Sequence, residues 1–277
     1  MRHWDVPEST HPMSDPDASA APSDLLFNQS LEKGLAVLSA FNSRRRTMTL
    51  AEAAAAAGIS KSSAQRMVHT LEVLGLVRKQ AQTRRYELTP RALQIGFAYL
   101  AADALIELAN PFVAELARVT GETCNLTEPD GSDMVYVARF VSAKFVPIHM
   151  PIGSRIPMYC TGAGRAYLCA LPEAEAQALL LQSERAVHTQ HTQTDVAEIA
   201  ALLARARREG FATNREELFL GDMSIAAPIV GALGRPLGAV HVVAPTSRWS
   251  LEEATQRLAP AVIECARAIS GSARSLG

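Results

Sequence analysis

The first regular pattern in the chain begins at Leu31, from which apolar residues recur at intervals of three and four up to Phe41. This spacing places an apolar stripe on one side of a helix, so it predicts a first helix. Thr49 and Glu52 form a capping box, in which each side chain satisfies a backbone N–H of the other residue. The alanine-rich segment that follows is therefore predicted to be a second helix, which ends at Gly58.

A third helix and a hairpin complete this region. The helix is predicted at residues 61–74, with Ser60 as its N-cap and Gly75 at its end. Apolar side chains fall on one side of it, and the other side is polar or basic: Lys61, Ser62, Ser63, Gln65, Arg66 and His69. Two short strands are predicted at 76–80 and 85–89, joined by a polar turn.

Charge separates this region from the rest of the chain. Residues 29–91 carry eleven basic and four acidic side chains, whereas residues 1–28 and 92–277 each have a net charge of −4. Two helices joined by a tight turn and followed by a basic hairpin are typical of a winged helix-turn-helix, whose third helix enters the major groove of DNA. We expect phosphate contacts from Arg44, Arg45, Arg84 and Arg85.

Two alternatives to DNA binding remain open at this point. The basic face is also compatible with a three-helix module that binds protein, and His69 is as readily a surface or packing residue as a base reader.

Residues 1–28 contain four prolines and few large apolar side chains, which predicts a disordered tail.

Helical and strand-like patterns alternate in the remainder of the chain. Residues 90–109 read as an apolar helix that connects two domains and pairs protomers, or that packs against its own chain. Further helices are predicted at 111–120, 161–171, about 173–181, 196–208 and 249–270. Strands are predicted at 123–127, 134–140, 145–150, 223–230 and 238–243. This order favours a central antiparallel sheet with helices on its faces.

The start of the helix predicted at 161–171 is a candidate ligand site. Thr161, Gly162 and Ala163 open it, and backbone N–H groups at a helix start can hold a carboxylate. The glycines of this segment suit tight packing equally well. His241 lies in an otherwise apolar strand, where a buried imidazole needs a partner. That partner is either a ligand carboxylate or phenol, or another core residue. If both features belong to a ligand site, the ligand that we expect is a small organic acid, for example an aromatic one.

The sequence lacks the motifs that would indicate catalysis, metal binding or membrane insertion. No apolar run approaches the length of a membrane span, the four cysteines form no CxxC pair, and no P-loop, nucleophile elbow or HExxH motif is present. Cys160 lies at a predicted helix start, but no base that could activate its thiol is identifiable. His188 and His191 lie in a polar stretch, which favours an exposed loop over a pair of metal ligands. We therefore expect a cytoplasmic protein that is not an enzyme and has no cofactor.

Several separated motifs resemble those of the IclR-type transcription regulators. In the basic region they are residues 30–38 (SLEKGLAVL), 58–66 (GISKSSAQR), 71–77 (LEVLGLV) and 86–91 (YELTPR). In the second half they are 157–166 (PMYCTGAGRA), the pairs at 210–211 and 216–217, and 221–229 (GDMSIAAPI). The resemblance covers about residues 29–270 with the motifs in the family's order.

This resemblance implies an α+β fold with three parts. They are an N-terminal winged helix-turn-helix at 29–91, a linker helix at 92–109 and a C-terminal GAF-like α/β effector domain at 110–277. It also implies homodimers, which often pair into tetramers. We therefore expect a ligand-responsive transcription regulator whose two recognition helices read the half-sites of a pseudo-palindromic operator in double-stranded DNA. The alternative is a GAF-type sensor whose basic module binds protein.

The resemblance places the effector contacts on Gly162, Ala163, Asn214, Ser224 and the strand that carries His241. This chain departs from some family members at two of these positions. Asn214 stands where an acidic residue can occur, and His241 stands where a small hydroxyl residue can occur. The identity of the effector therefore does not carry over from the family.

Overall fold

The computed structural model of the chain describes residues 26–143, 148 and 150–274. These residues divide into two compact units, one that ends at Ala101 and one that begins at Ala102. The domain boundaries expected at residues 91 and 109 stay predictions. Most of the predicted tail and of the strand predicted at 145–150 lies outside the described residues.

The first unit is the predicted arrangement of three helices and a hairpin, with one additional strand. Its elements are α1 (Gln29–Ser39), β1 (Thr47–Met48), α2 (Leu50–Ala56), α3 (Lys61–Val73), β2 (Val77–Lys79) and β3 (Tyr86–Leu88). The three strands form an antiparallel sheet in the order β1-β3-β2. Strand β1 was not predicted, because two residues are too few to show an alternating pattern.

The core of this unit joins all of its elements. Val37 of α1, Val68 and Leu71 of α3, and Val77 of β2 are buried together with Met48. The capping box of Thr49 and Glu52 is confirmed, because each side chain binds the backbone N–H of the other residue. Gly58 and Gly75 end α2 and α3 with left-handed φ angles of +65° and +75°.

The helix expected at 90–109 is divided differently in the structure. A 3₁₀ turn at Pro90–Ala92 leads into α4 (Leu93–Ala102), and a second helix, α5, occupies Ala104–Thr120. The break lies at Asp103, whose carboxylate accepts the backbone N–H of Ile106 at 3.0 Å. Pro111, expected to begin a new helix, lies inside α5 instead. One buried stripe runs along the whole of α5 and outweighs the hydrogen bond that proline removes.

The second unit is built around a six-stranded antiparallel sheet. Its further elements are β4 (Thr123–Asp130), β5 (Asp133–Phe140), β6 (Arg155–Pro157), α6 (Gly162–Ala170), α7 (Glu173–Gln182), α8 (Val196–Glu209), β7 (Ala212–Arg215), β8 (Met223–Val230), β9 (Pro236–Val243) and α9 (Leu251–Ala273). The strand order is β6-β5-β4-β9-β8-β7. The predicted central sheet is therefore confirmed, although the edge strands β6 and β7 were not expected.

Helices cover both faces of this sheet. α6 packs on the face that carries Ala226, with α7 and α8 behind it. α5 and α9 contact each other and pack against β4 and β8. Because side chains alternate between faces along a strand, this leaves Ile225 and Val242 for the α5–α9 side. The polar residues discussed below lie on the α6 side.

Candidate DNA-binding face and ligand pocket

α3 presents a polar face to solvent. Ala64, Val68 and Leu71 are buried on one side of the helix and hold it in its unit. The residues predicted to read DNA lie on the other side, exposed except for the half-buried Ser63: Lys61, Ser62, Gln65, Arg66 and His69. No described residue makes a hydrogen bond or ion pair with the side chains of Gln65 and Arg66. Both are available for the paired hydrogen bonds by which such side chains recognise bases.

The loop before β1 and the tip of the hairpin both adjoin the same small sheet. Arg44 and Arg45 are exposed in the loop, where the side-chain oxygen of Asn42 accepts their backbone N–H groups at 3.1 and 2.8 Å. β1 follows directly and pairs with β3 of the hairpin. Arg84 lies at the hairpin tip with a left-handed φ of +58°. Both groups of predicted phosphate contacts are therefore carried by loops that adjoin paired strands of the same sheet.

Arg85 differs from the other predicted phosphate contacts because its guanidinium is already occupied. Its Nε donates to Thr47 Oγ1 at 2.9 Å, and its Nη2 donates to Glu52 Oε2 at 2.6 Å. The backbone N–H of Thr49, together with Arg85, lowers the pKa of that carboxyl. Arg85 thus ties the hairpin to α2, and a phosphate contact from it stays a prediction.

A small cavity lies between α6, the sheet and the connection from β7 to β8. Its volume is about 20 Å³, enough for about one water molecule. Five of the six residues predicted to contact an effector line it: Thr161, Ala163, Asn214, Ser224 and His241. Six further lining residues were not predicted, and the fold of the second unit brings them there: Tyr136, Ile156, Leu218, Phe219, Asp222 and Val243.

The start of α6 borders this cavity as the sequence suggested. Thr161 is the N-cap, and its hydroxyl accepts the N–H of Gly164 at 3.2 Å. No described residue accepts the N–H groups of Gly162 and Ala163. These orphan donors and the positive end of the helix dipole make the position favourable for an anionic group.

The two glycines of this segment have different roles. A Cβ on Gly162 would come within 2.5 Å of Ser224 Oγ, so Gly162 lets Ser224 reach the helix start. A Cβ on Gly164 would come within 2.2 Å of the Cα of Met158. Tight packing therefore explains the glycine at residue 164. Gly162 contributes to the pocket by leaving room for the side chain of Ser224, which lines it.

Ser224 and Asn214 form a buried pair beside the helix start. They lie opposite each other on β8 and β7, and Ser224 Oγ donates to Asn214 Oδ1 at 2.5 Å. This bond leaves the amide N–H groups of Asn214 and the lone pairs of Ser224 Oγ available to a ligand.

His241 is held on the sheet by a residue that the sequence analysis did not single out. Its Nε2 lies 3.0 Å from Nδ2 of Asn125, which is directly opposite on β4. The ring of Tyr136 meets the imidazole edge-on at 5.5 Å between centroids. Burial, helped by the charge of Arg139, lowers the pKa of His241 to about 3, so the imidazole is neutral at physiological pH.

Asp222 adds an acid to the same cavity. Burial raises the pKa of this carboxyl to about 7, and the positive charge of Arg139 opposes the shift. Asp222 is therefore partly protonated near neutral pH. An anionic ligand in the cavity favours the protonated form, because two like charges in one small space repel each other.

A buried ion pair fixes the segment that closes the cavity. Arg165 of α6 is 2% exposed and holds both carboxylate oxygens of Glu217, at 2.5 and 2.6 Å. Its Nε donates to the carbonyl of Tyr159 at 3.0 Å. Glu217 directly precedes Leu218 and Phe219, which line the cavity. Arg165 and Glu217 thus position the β7–β8 connection against α6.

A larger groove of about 320 Å³ lies elsewhere in the second unit and contains none of the predicted residues. It is formed by the end of α5 and the start of α9. Its buried carboxylate, Glu122, accepts hydrogen bonds from both Nη atoms of Arg248 and from the indole of Trp249. This groove is therefore lined by groups that already satisfy one another.

The candidates for other chemistry find no support among the described residues. They contain no cluster of side chains able to hold a metal ion, and His188 stacks on Tyr159. Cys160 is buried, which raises the pKa of its thiol to about 12 and disfavours the nucleophilic thiolate. No single described helix is long and apolar enough to cross a membrane; one bent pair, Pro90–Ala102 with Ala104–Thr120, meets the length and composition test only when taken together.

Family models match both units of the chain. The model of the IclR helix-turn-helix domain matches residues 30–81, and that of the bacterial transcriptional regulator IclR C-terminal domain matches residues 97–271. Among curated relatives, the Pca regulon regulatory protein of Pseudomonas putida is 31% identical over 242 residues, which are 87% of this chain and 82% of that protein. The transcriptional repressor IclR of Escherichia coli is 27% identical and covers 82% of this chain and 84% of its own length.

Solved structures agree with this assignment. A transcriptional regulator from Rhodococcus sp. RHA1 is 34% identical, with a TM-score of 0.80 over 91% of this chain and 100% of that one. An IclR homologue from Microbacterium hydrocarbonoxydans in complex with 4-hydroxybenzoate shares the fold at 21% identity, with a TM-score of 0.74 over 89% of this chain and 99% of that one. The chain therefore belongs to the IclR family of DNA-binding transcription regulators and is not an enzyme.

Proposed function

We propose that this regulator binds a pseudo-palindromic operator as a homodimer, or as a pair of dimers, and that a small organic acid in the α6 pocket changes its affinity for DNA. It acts in the cytoplasm, where the bacterial chromosome lies. The observation that carries the DNA-binding part is the exposed face of α3, on which Gln65 and Arg66 have no described partner.

The cations and polar residues of the first unit are suited to two kinds of DNA contact, with base edges and with phosphates. Arg66 and Gln65 are long enough to form paired hydrogen bonds with base edges, while Ser62 and Ser63 are short enough to let the helix approach closely. Lys61 at the helix start and the cations of the loop and hairpin tip, Arg44, Arg45 and Arg84, neutralise phosphates. His69 continues the same face one turn further along the helix.

Dimerisation is supported by apolar surface that the first unit leaves uncovered. Leu93, Ile95 and Phe97 of α4 are exposed, as are Leu31 and Leu35 of α1. An exposed apolar surface of this kind is typical of an interface between protein chains. A second copy is the natural occupant, because two recognition helices related by a twofold axis match the two half-sites of a pseudo-palindrome.

The effector part rests on the geometry of the pocket. Thr161, Gly162 and Ala163 offer backbone donors at a helix start, and Ser224 and Asn214 add polar groups beside them. A carboxylate fits this end, while Ile156, Leu218 and Phe219 provide apolar walls suited to an aromatic ring. The cavity holds about one water in its present form, so a larger ligand has to open it. The ligand therefore prefers an open conformation, and this differential affinity is what shifts an equilibrium.

The test is fluorescence anisotropy of a labelled duplex taken from the region upstream of the protein's own gene. We expect tight binding that weakens steeply as salt rises, because phosphate contacts release counterions. Adding a panel of small carboxylic acids should change the affinity with at least one of them. A protein that binds neither this duplex nor any other would contradict the proposal, and neutral compounds acting where every acid fails would contradict its effector part.

A further inference from the structure

The sheet side of the pocket contains a polar pair that the rest of the protein leaves half satisfied. Asn125 is 0% exposed and His241 is 2% exposed, and they bind each other across β4 and β9 through Nδ2 and Nε2. His241 Nδ1 and Asn125 Oδ1 are buried and have no partner among the described residues. Buried polar atoms in folded proteins are nearly always paired, so each of these two needs an explanation.

The open ring nitrogen belongs to a residue that lines the cavity. If the Asn125 amide donates to Nε2, the neutral imidazole carries its proton on Nδ1, which then offers a donor. If the amide is turned, Nε2 donates to it and Nδ1 becomes an acceptor. A hydroxyl group can both donate and accept, so it satisfies the open nitrogen in either arrangement.

We propose that the Asn125–His241 pair recognises a hydroxyl group of the effector, which makes the ligand a hydroxy acid. This inference rests on the proposed function, since it needs an acid in the α6 pocket. It assigns a specificity-determining role to His241 and a positioning role to Asn125, which fixes the ring and its tautomer.

The placement of the two ends of the pocket supports a ligand with two different groups. Ser224 pairs with Val243 and His241 pairs with Ala226, so Ser224 and His241 are diagonal neighbours on one face of the β8–β9 ladder. Diagonal side chains of this kind are separated by about 7–8 Å. Ser224 touches the start of α6, so a ligand about one ring long can place its carboxylate there and its hydroxyl at His241.

A second carboxylate at His241 fits less well than a hydroxyl. Asp222 lines the same cavity, and its carboxylate would repel a ligand with two anionic groups more strongly than a ligand with one. The ring of Tyr136 meets the imidazole edge-on, and the charge of Arg139 further disfavours a protonated imidazole. The imidazole therefore acts as a neutral hydrogen-bonding group rather than as a counter-ion.

The experiment compares matched acids by isothermal titration calorimetry on the full-length wild-type protein. The probes are benzoate, the 3- and 4-hydroxybenzoates, and the 3- and 4-methylbenzoates, in which a methyl group replaces the hydroxyl at similar size. We expect at least one hydroxybenzoate to bind about tenfold tighter than the methyl analogue of the same substitution, because the methyl group leaves the buried nitrogen unpaired. Equal or tighter binding of both methyl analogues overturns this inference and leaves the acid pocket intact.

Variants show whether the preference comes from this pair. His241→Leu should bind benzoate but lose the preference for the hydroxyl, and Asn125→Leu should reduce it. His188→Gln, a half-buried histidine outside the pocket, serves as the control and should keep the preference. A preference that survives in His241→Leu overturns the inference, and if that variant does not fold the comparison of acids on the wild type still decides. Absence of binding by every acid overturns the effector part of the proposed function, and the hydroxyl assignment with it, whereas the DNA-binding part is tested by the duplex measurement.

Discussion

Gly164 is the residue on which the seating of α6 depends most directly. A Cβ at this position would lie 2.2 Å from the Cα of Met158, and a backbone atom cannot move away as a flexible side chain can. We therefore expect Gly164→Ala to lower the free energy of unfolding by about 1–3 kcal/mol, the usual cost of overpacking. Urea unfolding followed by circular dichroism measures this change.

Gly271→Ala is the matched control for that substitution. Gly271 is exposed on α9 and has nothing within 4 Å of its Cβ position, so alanine adds only helix propensity. Its stability should equal or exceed that of the wild type. If both variants behave alike, close packing is not what requires glycine at residue 164.

Asp222 gives the protein a specific dependence on pH. Its pKa in the folded chain is about 7, well above the reference value of 3.8. Its contribution to stability is therefore complete below pH 3.8 and is lost as the pH rises from there through about 7, because the folded state keeps a proton that the unfolded chain has already released. We expect Asp222→Asn to lose less stability than the wild type between about pH 4 and about pH 7.

Thermal unfolding across this pH range measures the effect. Glu173→Gln removes an exposed carboxylate from α7 and serves as the control for the loss of one negative charge. The assignment would be contradicted if Asp222→Asn and Glu173→Gln shared the pH profile of the wild type.

Between elements, the contact between α6 and the β7–β8 connection depends on one buried ion pair. Glu217→Gln leaves the Arg165 guanidinium buried without its counter-charge, so we expect a loss of about 3–5 kcal/mol in the free energy of unfolding. The bidentate pair of Arg235 and Glu175 offers a control with the same chemistry on the surface. Glu175→Gln should leave stability near that of the wild type, since solvent screens this pair.

Chemical denaturation of the two variants tests the difference between the pairs. The buried pair also positions Leu218 and Phe219, so Glu217→Gln should weaken ligand binding as well. Equal stability losses in Glu217→Gln and Glu175→Gln would remove the special role of Arg165.

The sequence predicted elements well where the pattern is local. The capping box of Thr49 and Glu52 and the N-cap Ser60 could be identified from residue types alone, because a cap is a contact over three residues. The break between α4 and α5 was misplaced because Pro111 is the stronger local signal, while the burial that carries the helix past it is tertiary. Strands β6 and β7 are too short for alternation to be recognised.

The pocket could be predicted only in part for the same reason. Residues on one segment, such as Thr161 and Ala163, follow from the motif that opens α6. Asn125 is more than a hundred residues from His241 in sequence, and only the register of β4 with β9 places it beside the imidazole. Asp222 is about twenty residues from His241, and the turn before β8 brings it to the same cavity. Strand pairing of this kind cannot be read from a single sequence.

For the whole molecule, reading two half-sites of one operator requires two associated chains. Phe97 of α4 is 68% exposed although it is large and apolar, which is why we propose it as part of an interface between protomers. Phe97→Glu should shift the protein towards monomer and weaken operator binding, because the two half-sites then bind separately. Analytical ultracentrifugation and fluorescence anisotropy measure these two effects.

Leu233→Glu is the control for this substitution. Leu233 is 92% exposed in the turn between β8 and β9, so a charge there should change neither the oligomeric state nor DNA binding. The interface would be placed wrongly if Phe97→Glu stayed fully dimeric at the concentrations at which the wild type is dimeric.

The most direct test of the account is operator binding by Arg66→Ala, with Arg208→Ala, an exposed arginine on α8, as the control. Affinities are measured by fluorescence anisotropy for the duplex upstream of the protein's own gene and for a scrambled duplex of equal length. We predict that Arg66→Ala weakens binding to the first duplex by about 1–3 kcal/mol and changes binding to the scrambled one much less. Unchanged affinity for the upstream duplex in Arg66→Ala, or the same loss in Arg208→Ala, would contradict the claim that the polar face of α3 reads DNA.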